Sequence, residues 1–588
     1  MPARAQSNSR RFCLVLVKPS HYDDDGYVIQ FLRSAVPSNS LAALYGLAQD
    51  CADRRVLGDG VEIDIHAYDE TNTRIRPQRL ARMIEAAGGG MVMLVGVQSI
   101  QFPRALDIAR PLRERGIMVA VGGFHVSGTI AMLDERDPDV KRAEHMGVAL
   151  FAGEAEDRLD EVLRDAFAGR LKPLYNFMND LPGIEGCPVP FLPAARINRT
   201  IGGLTSFDAG RGCPYQCSFC TIINVQGRKS RRRSADDVEQ IVRANLAQGI
   251  HTFFITDDNF ARNKDWEPIL DRLIHLREVE RLKMSFVIQV DTLCHKIPNF
   301  VAKAKRAGVT RIFIGLENIN PDNLSAAKKR QNKITEYRKM MLAWKEVGIW
   351  TYAGYILGFP NDTPERVRQD IEIIKRELPV DVLEFFFLTP LPGSEDHKTL
   401  WSKGVAMDPD LNKYDLEHAL TAHPHMSKAE WEKLYQDAWR IYYTPAHVAT
   451  ILRRAKASGV NIFRLAQIIL WFSQSPAIER VHPLQGGILR LKRRDERRSI
   501  LPVESWWRFY PHLVWEFAVK QARFAYQGWR LYRIYRTVAA EPAGYTDQAM
   551  APVIDEEEDS LELFTHTQAA RDAVGHARKV KTLTASPA

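Results

Sequence analysis

The chain alternates short apolar runs with helical stretches twice over, and that alternation confines it to folds built on parallel sheets. Between Phe12 and Phe151 the runs Phe12–Val17, Val61–Ile65, Met91–Val95 and Ile117–Val121 are separated by helical periodicity at Leu41–Ala52, Leu80–Ala87 and Ala105–Arg115. Strands covered by helices on both faces read as near-continuous apolar runs, so a doubly wound Rossmann-like sheet is predicted, with ligands at the carboxyl ends of its strands. The proline-rich connector Leu181–Pro193 marks a boundary. From Ile201 to Pro392 the alternation resumes, with strands at His251–Thr256, Met284–Val290, Arg311–Leu316, Trp350–Leu357 and Val382–Leu388. Counting one more strand just before Cys213, six βα repeats predict a partial (β/α)6 barrel rather than a second open sheet. Helix punctuation agrees: Ser234 with Asp236 and Asp237 opens one helix that Gly249 stops, and Thr363-Pro364 opens another.

With 588 residues, 45% hydrophobic and 26% charged, the chain is long enough for several ordinary globular domains. The expected division is a Rossmann-like domain over 10–170, a linker over 171–199 and a partial TIM barrel over 200–400. An aromatic and basic α-helical region over 401–540 follows, then a disordered tail over 541–588 that contains the acidic run Asp555–Asp559. The basic start Met1–Phe12 has no long apolar segment after it, so no export signal is expected. Even the most apolar window, Ile462–Phe472, contains Arg464 and Gln467, so no membrane span is expected either. Seven cysteines are too few for a disulfide scaffold, and a cytoplasmic location is expected. Cys13, Cys51, Cys187 and Cys294 are scattered and read as small core or surface residues.

Cys213, Cys217 and Cys220 stand in the run Gly-Arg-Gly-Cys-Pro-Tyr-Gln-Cys-Ser-Phe-Cys. At C-x3-C-x2-C spacing, three thiolates in one tight loop can each ligate a separate iron of a cubane cluster, leaving the fourth iron open to a small chelating molecule. A structural zinc site usually requires a second C-x2-C pair, which the chain lacks. Gly210, Gly212 and Pro214 suit a sharply turning backbone.

This motif at the end of a first barrel strand resembles the radical S-adenosylmethionine (SAM) superfamily. The resemblance implies a [4Fe-4S] cluster on Cys213, Cys217 and Cys220, SAM on the open iron, and reductive cleavage to a 5'-deoxyadenosyl radical. It implies an electron donor such as flavodoxin or ferredoxin, and it places Phe219 near the adenine. Thr256-Asp-Asp-Asn-Phe260 stands where the family has Gly-Gly-Glu, making Asp257 or Asp258 the candidate for the SAM amino group. Glu317, in Gly315-Leu-Glu-Asn318, resembles a residue that faces SAM. Gly354-Tyr-Ile-Leu-Gly358 resembles the G-x-I-x-G motif, which brings Gly354, Ile356 and Gly358 to the adenine, and Leu388–Gly393 resembles the turn after the sixth strand.

The preceding sheet resembles the cobalamin-binding branch of that superfamily, the group of the anaerobic Mg-protoporphyrin ester cyclase and the radical SAM methyltransferases. The loop Lys18-Pro-Ser-His-Tyr-Asp-Asp-Asp-Gly26 lacks the D-x-H-x-x-G that supplies a cobalt-ligating histidine, and the imitation at Asp64–Asp69 lies on the second strand, where His66 reads as a plain strand histidine. Within the branch that histidine is commonly absent. Val97-Gln-Ser99 and Gly122-Gly-Phe-His-Val-Ser-Gly128 mark Ser99, Gly122 and Gly123 as positions where a nucleotide tail can thread past backbone. The alternative is a degenerate sheet that has lost cobalamin and only covers the barrel.

The net charge of +8 gathers in the C-terminal region, at Arg490, Lys492, Arg493, Arg494, Arg497 and Arg498 and along the aromatic stretch that follows. Residues 488–536 read as a helical cap on the barrel, as a peripheral contact with the inner membrane surface near a lipid-like substrate, or as a stacking surface; nucleic acid is the least expected partner. The leading functional expectation is cobalamin-dependent radical C-methylation of a small-molecule or lipid substrate. Radical cyclisation or rearrangement without methyl transfer is the alternative within the family, and a non-catalytic iron-sulfur regulatory protein the alternative outside it.

Overall fold

The computed structural model describes residues 10–554 and 560–585. Its first sheet contains β1 (Arg10–Lys18), β2 (Val61–Asp69), β3 (Gly90–Leu94), β4 (Met118–Gly122), β5 (Ala149–Ala152) and β6 (Leu174–Asn176). All pairings are parallel, in the order β2-β1-β3-β4-β5-β6. The order reverses between β1 and β3, the switch point at which doubly wound sheets open a crevice. Alternate residues feed two cores: Val15, Val92 and Val119 pack with Leu80, Phe102 and Leu106, while Leu14 and Met91 pack with Leu41, Leu47 and Leu163. The sheet is two strands longer than its four apolar runs announce, by β5 and β6. β6 has three residues and, with the short helix Ala194–Ile197, lies inside the span expected to be linker.

The second sheet follows chain order without crossovers: β7 (Leu204–Phe207), β8 (Thr252–Ile255), β9 (Ser285–Val290), β10 (Val309–Glu317), β11 (Trp350–Leu357) and β12 (Val382–Phe387). All its pairings are parallel, and β7 and β12 form its two edges, giving the partial barrel. Outward residues such as Phe253, Ile288, Ile314 and Phe385 are fully buried under helices. Inward residues Phe254, Val287, Gln289, Phe313 and Gly315 are only half-buried, so the interior is reachable from solvent. Ser234 caps the helix Ala235–Ala247 in a capping box with Asp237, and Thr363 caps Pro364–Glu377.

The C-terminal helices Lys428–Tyr442 and Ile462–Gln474 cover the barrel beside β12, through Phe385–Trp439 and Phe387–Trp431 ring contacts of 5.2 and 5.1 Å and Tyr352–Phe472 at 5.5 Å. The chain then returns to the first domain, where the strand Gly487–Arg490 pairs antiparallel with Phe31–Ser34. This return consumes the basic cluster. Arg490 pairs with Asp23, Lys492 with Asp25, Arg493 with Glu496, Arg497 with Glu504 and Arg498 with Asp410, while Arg494 donates to the Glu504 carbonyl. The first part of 488–536 is therefore an internal clasp rather than a free cationic surface.

Within the span expected to be a disordered tail, Glu562–Thr565 and Gln568–Ala585 are helical. Leu563 and Phe564 are buried in the barrel core, and the Glu377 carboxylate accepts from the backbone N–H groups of Glu562 and Leu563. Composition misleads here because a few apolar side chains, Leu561, Leu563, Phe564 and Ala570, suffice to dock two polar helices. The acidic run Asp555–Asp559 lies outside the described residues.

The two sheets meet carboxyl end to carboxyl end. Gly128, in the helix Phe124–Met132 after β4, abuts the turn after β12: a Cβ there would stand 2.8 Å from both the Gly393 Cα and the Pro392 carbonyl. Backbone faces backbone, so neither side can move locally. Gly128→Val is expected to lower stability by about 1–3 kcal/mol through overpacking, measured by thermal unfolding; an unchanged melting temperature would show that the seam is not closed in solution.

Candidate active site at the domain seam

The loop after β7 is built around its backbone. Asp257 accepts from the N–H groups of Ala209 and Gly210 at 2.7 and 2.8 Å and from Asn263 Nδ2 at 3.0 Å. Gly210–Arg211 pairs antiparallel with Arg231–Arg232, closing the loop on itself. Gly212 sits at φ +89°, where a Cβ would lie 2.4 Å from the Lys229 carbonyl. Cys213 N–H donates to Gly227, Cys220 N–H to Cys217, and Ser218 N–H to Ala327 on the far side of the barrel mouth. Gln331 Nε2 donates to Cys217 Sγ at 3.4 Å.

Burial pushes the Cys213 thiol up to about 11 and the Cys220 thiol up to about 12. Thiols so placed ionise only against a strong local cation, as metal binding provides. The three are not gathered for a single ion: among the described residues the group whose ligand atoms all lie within 4.8 Å of one another is Cys13, Asp64 and His66. Three sulfurs spread around one loop, with no fourth cysteine in it, fit a cubane with one open iron better than tetrahedral zinc.

Of the strand-end residues expected to face SAM, Asp257 and Gly358 are engaged by the protein itself, and the others lie about the barrel mouth. Phe219 of the loop, with Phe386 and Leu388, packs against Ile356, Phe359 and Ala327, an apolar wall that joins the loop to the strand ends. Glu317 is half-buried at φ +62°, a left-handed conformation that turns the strand end, and its carboxylate meets Lys329 Nζ at 2.6 Å. Lys329 lies over the Phe219 ring at 5.7 Å. Burial pulls the Lys329 ammonium down, but Glu317 and the nearby cysteines outweigh it and hold it above the usual lysine range. Gly354 faces inward, where a Cβ would press on Phe313 and Phe386, whereas Gly358 is required by Trp431, whose ring would overlap a Cβ there. Gly358 thus secures the cap.

Asp257 likewise serves the fold, since its carboxylate is spent on the loop backbone. Asp258 keeps a half-buried side chain, which burial and then the Asp257 charge push up to about 7, and its charge bears on Cys213 and Cys220. Of the two, Asp258 remains available to a ligand.

Four residues here carry no motif. Lys329 and Gln331 lie in an irregular segment after the helix Pro321–Ala326. Asp291, just after β9, gathers Tyr215 from the cysteine loop with Asn259 and Arg262 at 2.8, 2.9 and 2.6 Å. Glu384 on β12 lies opposite Gly354 and, by alternation with outward Phe385, faces the interior. Its Oε2 has no hydrogen-bond partner among the described residues, and burial pushes the carboxyl up to about 8, so it stands in the barrel as a neutral acid. A polar residue in an otherwise apolar strand was its only signal.

On the opposing edge of the first sheet Gln98 is exposed and Gly96, Gly122, Gly123 and Phe124 are half-buried, so the crevice at the switch point is open. A Cβ on Gly123 would lie 2.2 Å from Val97 N, and one on Gly122 would lie 3.2 Å from Phe151, so both glycines serve the close approach of neighbouring strand ends. Ser99 Oγ is 3.1 Å from His125 Nδ1, and both are buried. His21 is also buried, and burial lowers it to about 3. The edge therefore fits a large ligand held by backbone and polar side chains, without an imidazole directed to a metal. His66 lies on β2, 3.1 Å from Asp64.

A buried ionic network joins the two edges. Arg211 meets Glu154 and Glu156, just after β5, each at 2.7 Å, and Asp208 at 2.9 Å. Arg231 also pairs with Glu154, and Arg233 Nη2 lies 3.9 Å from Asp208. Despite burial, the arginine charges hold Glu156 and Asp208 below the usual carboxylate range.

Residues 209–374 match the family model of the Radical SAM superfamily. The chain is 26% identical over 344 residues to the bacteriochlorophyllide d C-8(2)-methyltransferase of Chlorobaculum tepidum, covering 55% of this chain and 72% of that protein. It is 24% identical over 433 residues to the hopanoid C-2 methylase of Rhodopseudomonas palustris, covering 69% and 78%. Among solved structures, the radical SAM methyltransferase TsrM from Kitasatospora setae with cobalamin and a [4Fe-4S] cluster bound superposes with a TM-score of 0.55 at 17% identity, over 75% of this chain and 90% of that one. At that identity the likeness shows a shared fold.

Removing Arg211 leaves three buried carboxylates with one fewer counter-charge, so Arg211→Met should cost about 3–5 kcal/mol in chemical denaturation. A loss below about 1 kcal/mol, the worth of a surface ion pair, would show the network to be solvated. For Glu384, the folded carboxyl stays protonated while the unfolded one ionises above about 4.5. Parent stability attributable to this group therefore falls as pH rises from about 5 to about 8, by at most about 1.4 kcal/mol per pH unit. The stability gained by Glu384→Gln should grow over that window; a pH-independent difference would mean that Glu384 is already ionised.

Proposed function

We propose that this chain, which carries a radical SAM domain, is a cobalamin-dependent radical SAM enzyme that methylates a carbon of a lipid-like small molecule. The observation that carries the reading is the apposition of the cysteine loop and the open carboxyl edge of a doubly wound sheet across one sealed seam. The names of the relatives support it, since they include a bacteriochlorophyllide d methyltransferase and a hopanoid methylase, and a cobalamin-bound methyltransferase shares the fold.

Cys213, Cys217 and Cys220 would hold the [4Fe-4S] cluster, which when bound supplies an open iron for SAM and the electron for its cleavage to a 5'-deoxyadenosyl radical. Asp258 offers a carboxylate to the SAM amino group, and the Glu317–Lys329 pair presents fixed charge beside Phe219. Phe219 and Ile356 supply the apolar wall for the adenine. Gln331, by donating to Cys217 Sγ, restrains that sulfur. Cobalamin would occupy the edge at Gly96, Gln98 and Gly122, and it supplies the transferable methyl group. The C-terminal helices keep bulk water from the barrel's side. Electrons come from a carrier such as flavodoxin or ferredoxin.

Anaerobically reconstituted and reduced, the protein is expected to cleave SAM to 5'-deoxyadenosine without substrate, and Cys217→Ala to abolish this. An intact cluster with no cleavage would sink the enzymatic reading. Absorbance after cobalamin supplementation and desalting should show about one corrinoid per chain; failure to retain it, with SAM cleavage preserved, would remove methyl transfer while leaving radical chemistry standing.

A further inference from the structure

Most of the helix Trp506–Ala540 is firmly seated on one face. Phe509 packs on Tyr27 at 5.4 Å, Leu531, Ile534 and Tyr535 join the barrel core, and Val538 is buried. The opposite face is apolar and bare. Trp507, Val514, Ala518, Ala525, Trp529 and Tyr532 recur at spacings of seven, four or three, which aligns them along one stripe. Trp507, Val514 and Trp515 are 70%, 67% and 69% exposed. Side chains of this kind left in water along a helix of about 52 Å, at 1.5 Å per residue, mark a contact surface.

Its charge identifies the occupant. Arg508, Arg523, Arg530, Arg533 and Arg536 lie on this helix, and none has a carboxylate partner among the described residues; Arg533 and Arg536 instead approach the rings of Trp529 and Tyr532. The helix's one acid, Glu516, is taken by Lys492 and Lys520 on the seated side. A second copy docked face to face would bring uncompensated arginines, Arg533 and Arg536 among them, against more of the same charge. Among the described residues no helix is long and apolar enough to cross a membrane. Aromatic rings at intermediate depth, flanked by arginines that can reach phosphate, are what a bilayer interface accepts.

We propose that the outer face of Trp506–Ala540 docks on an anionic phospholipid surface. The inference is independent of the chemistry assigned to the barrel, because it rests on a surface outside the cysteine loop and strand ends.

The test is flotation of the full chain with vesicles of phosphatidylcholine alone or mixed equally with phosphatidylglycerol. At about 0.1 M salt, recovery with the mixed vesicles should exceed that with phosphatidylcholine by at least about tenfold, and at about 1 M salt the excess should shrink. The triple variant Trp507→Glu, Val514→Glu, Trp515→Glu should lose flotation while keeping its circular dichroism and its SAM cleavage, since all three side chains point to solvent. Failure of the parent to float with the mixed vesicles overturns the proposal. So does equal flotation of the triple variant, or a parent dimer in light scattering that the triple variant dissolves. Retained SAM cleavage without flotation separates the two readings.

Discussion

Arg211 stands two positions before the first cysteine of the loop and satisfies three carboxylates from two domains at once. With Arg231 and Arg233 the network balances three cations against Asp208, Glu154 and Glu156. Buried charges are tolerated only when matched and hydrogen-bonded. Each domain alone would hold an unmatched share: the first sheet two acids after β5, the barrel an excess of arginine beside its cysteine loop. The geometry of that loop is thus coupled to the presence of the other domain, and the crevice at the switch point is brought opposite the thiols. The rest of the seam follows from this registration, including the contact of Gly128 with Gly393 and the hydrogen bond from Asn39 to Asp208.

Much of this architecture was legible in the sequence, for definite reasons. Parallel strands buried on both faces must be apolar throughout, so β1, β3, β4 and the barrel strands stand out. β6 did not, because three residues on a sheet edge need little apolar surface. The cysteine loop was legible because chelation fixes spacing, and Ile356 because it shares a short motif with two glycines. Asp257 and Asp258 could not be told apart, since adjacent residues at a strand end point in different directions and only the three-dimensional path shows which one meets backbone. Lys329, Gln331 and Asp291 act from irregular segments, where position along the chain does not determine direction. Glu384 differs again: it breaks an apolar pattern, yet whether such a break marks a cavity or an ion pair depends on neighbours far along the chain.

The C-terminal region shows why charge counts alone mislead. Arg490 to Arg498 and the arginines of the long helix look equivalent in composition. The first group closes a clasp between chain ends, its cations matched by Asp23, Asp25 and Asp410 from segments more than eighty residues away. The second has no carboxylate partner among the described residues. Pairing is a tertiary property, so the same residue type serves stability in one place and leaves a surface cationic in the next.

The contact at Gly128 and Gly393 bears on how the protein is assembled. Two backbones meeting without side chains leave no rotamer to swing aside, and the ionic network next to them closes the same seam with buried charge. Parting the two sheets at this point would break both contacts together, leaving Glu154 and Glu156 without the arginines that match them. The two halves are therefore held in one fixed register, and each open edge keeps a constant distance from the other.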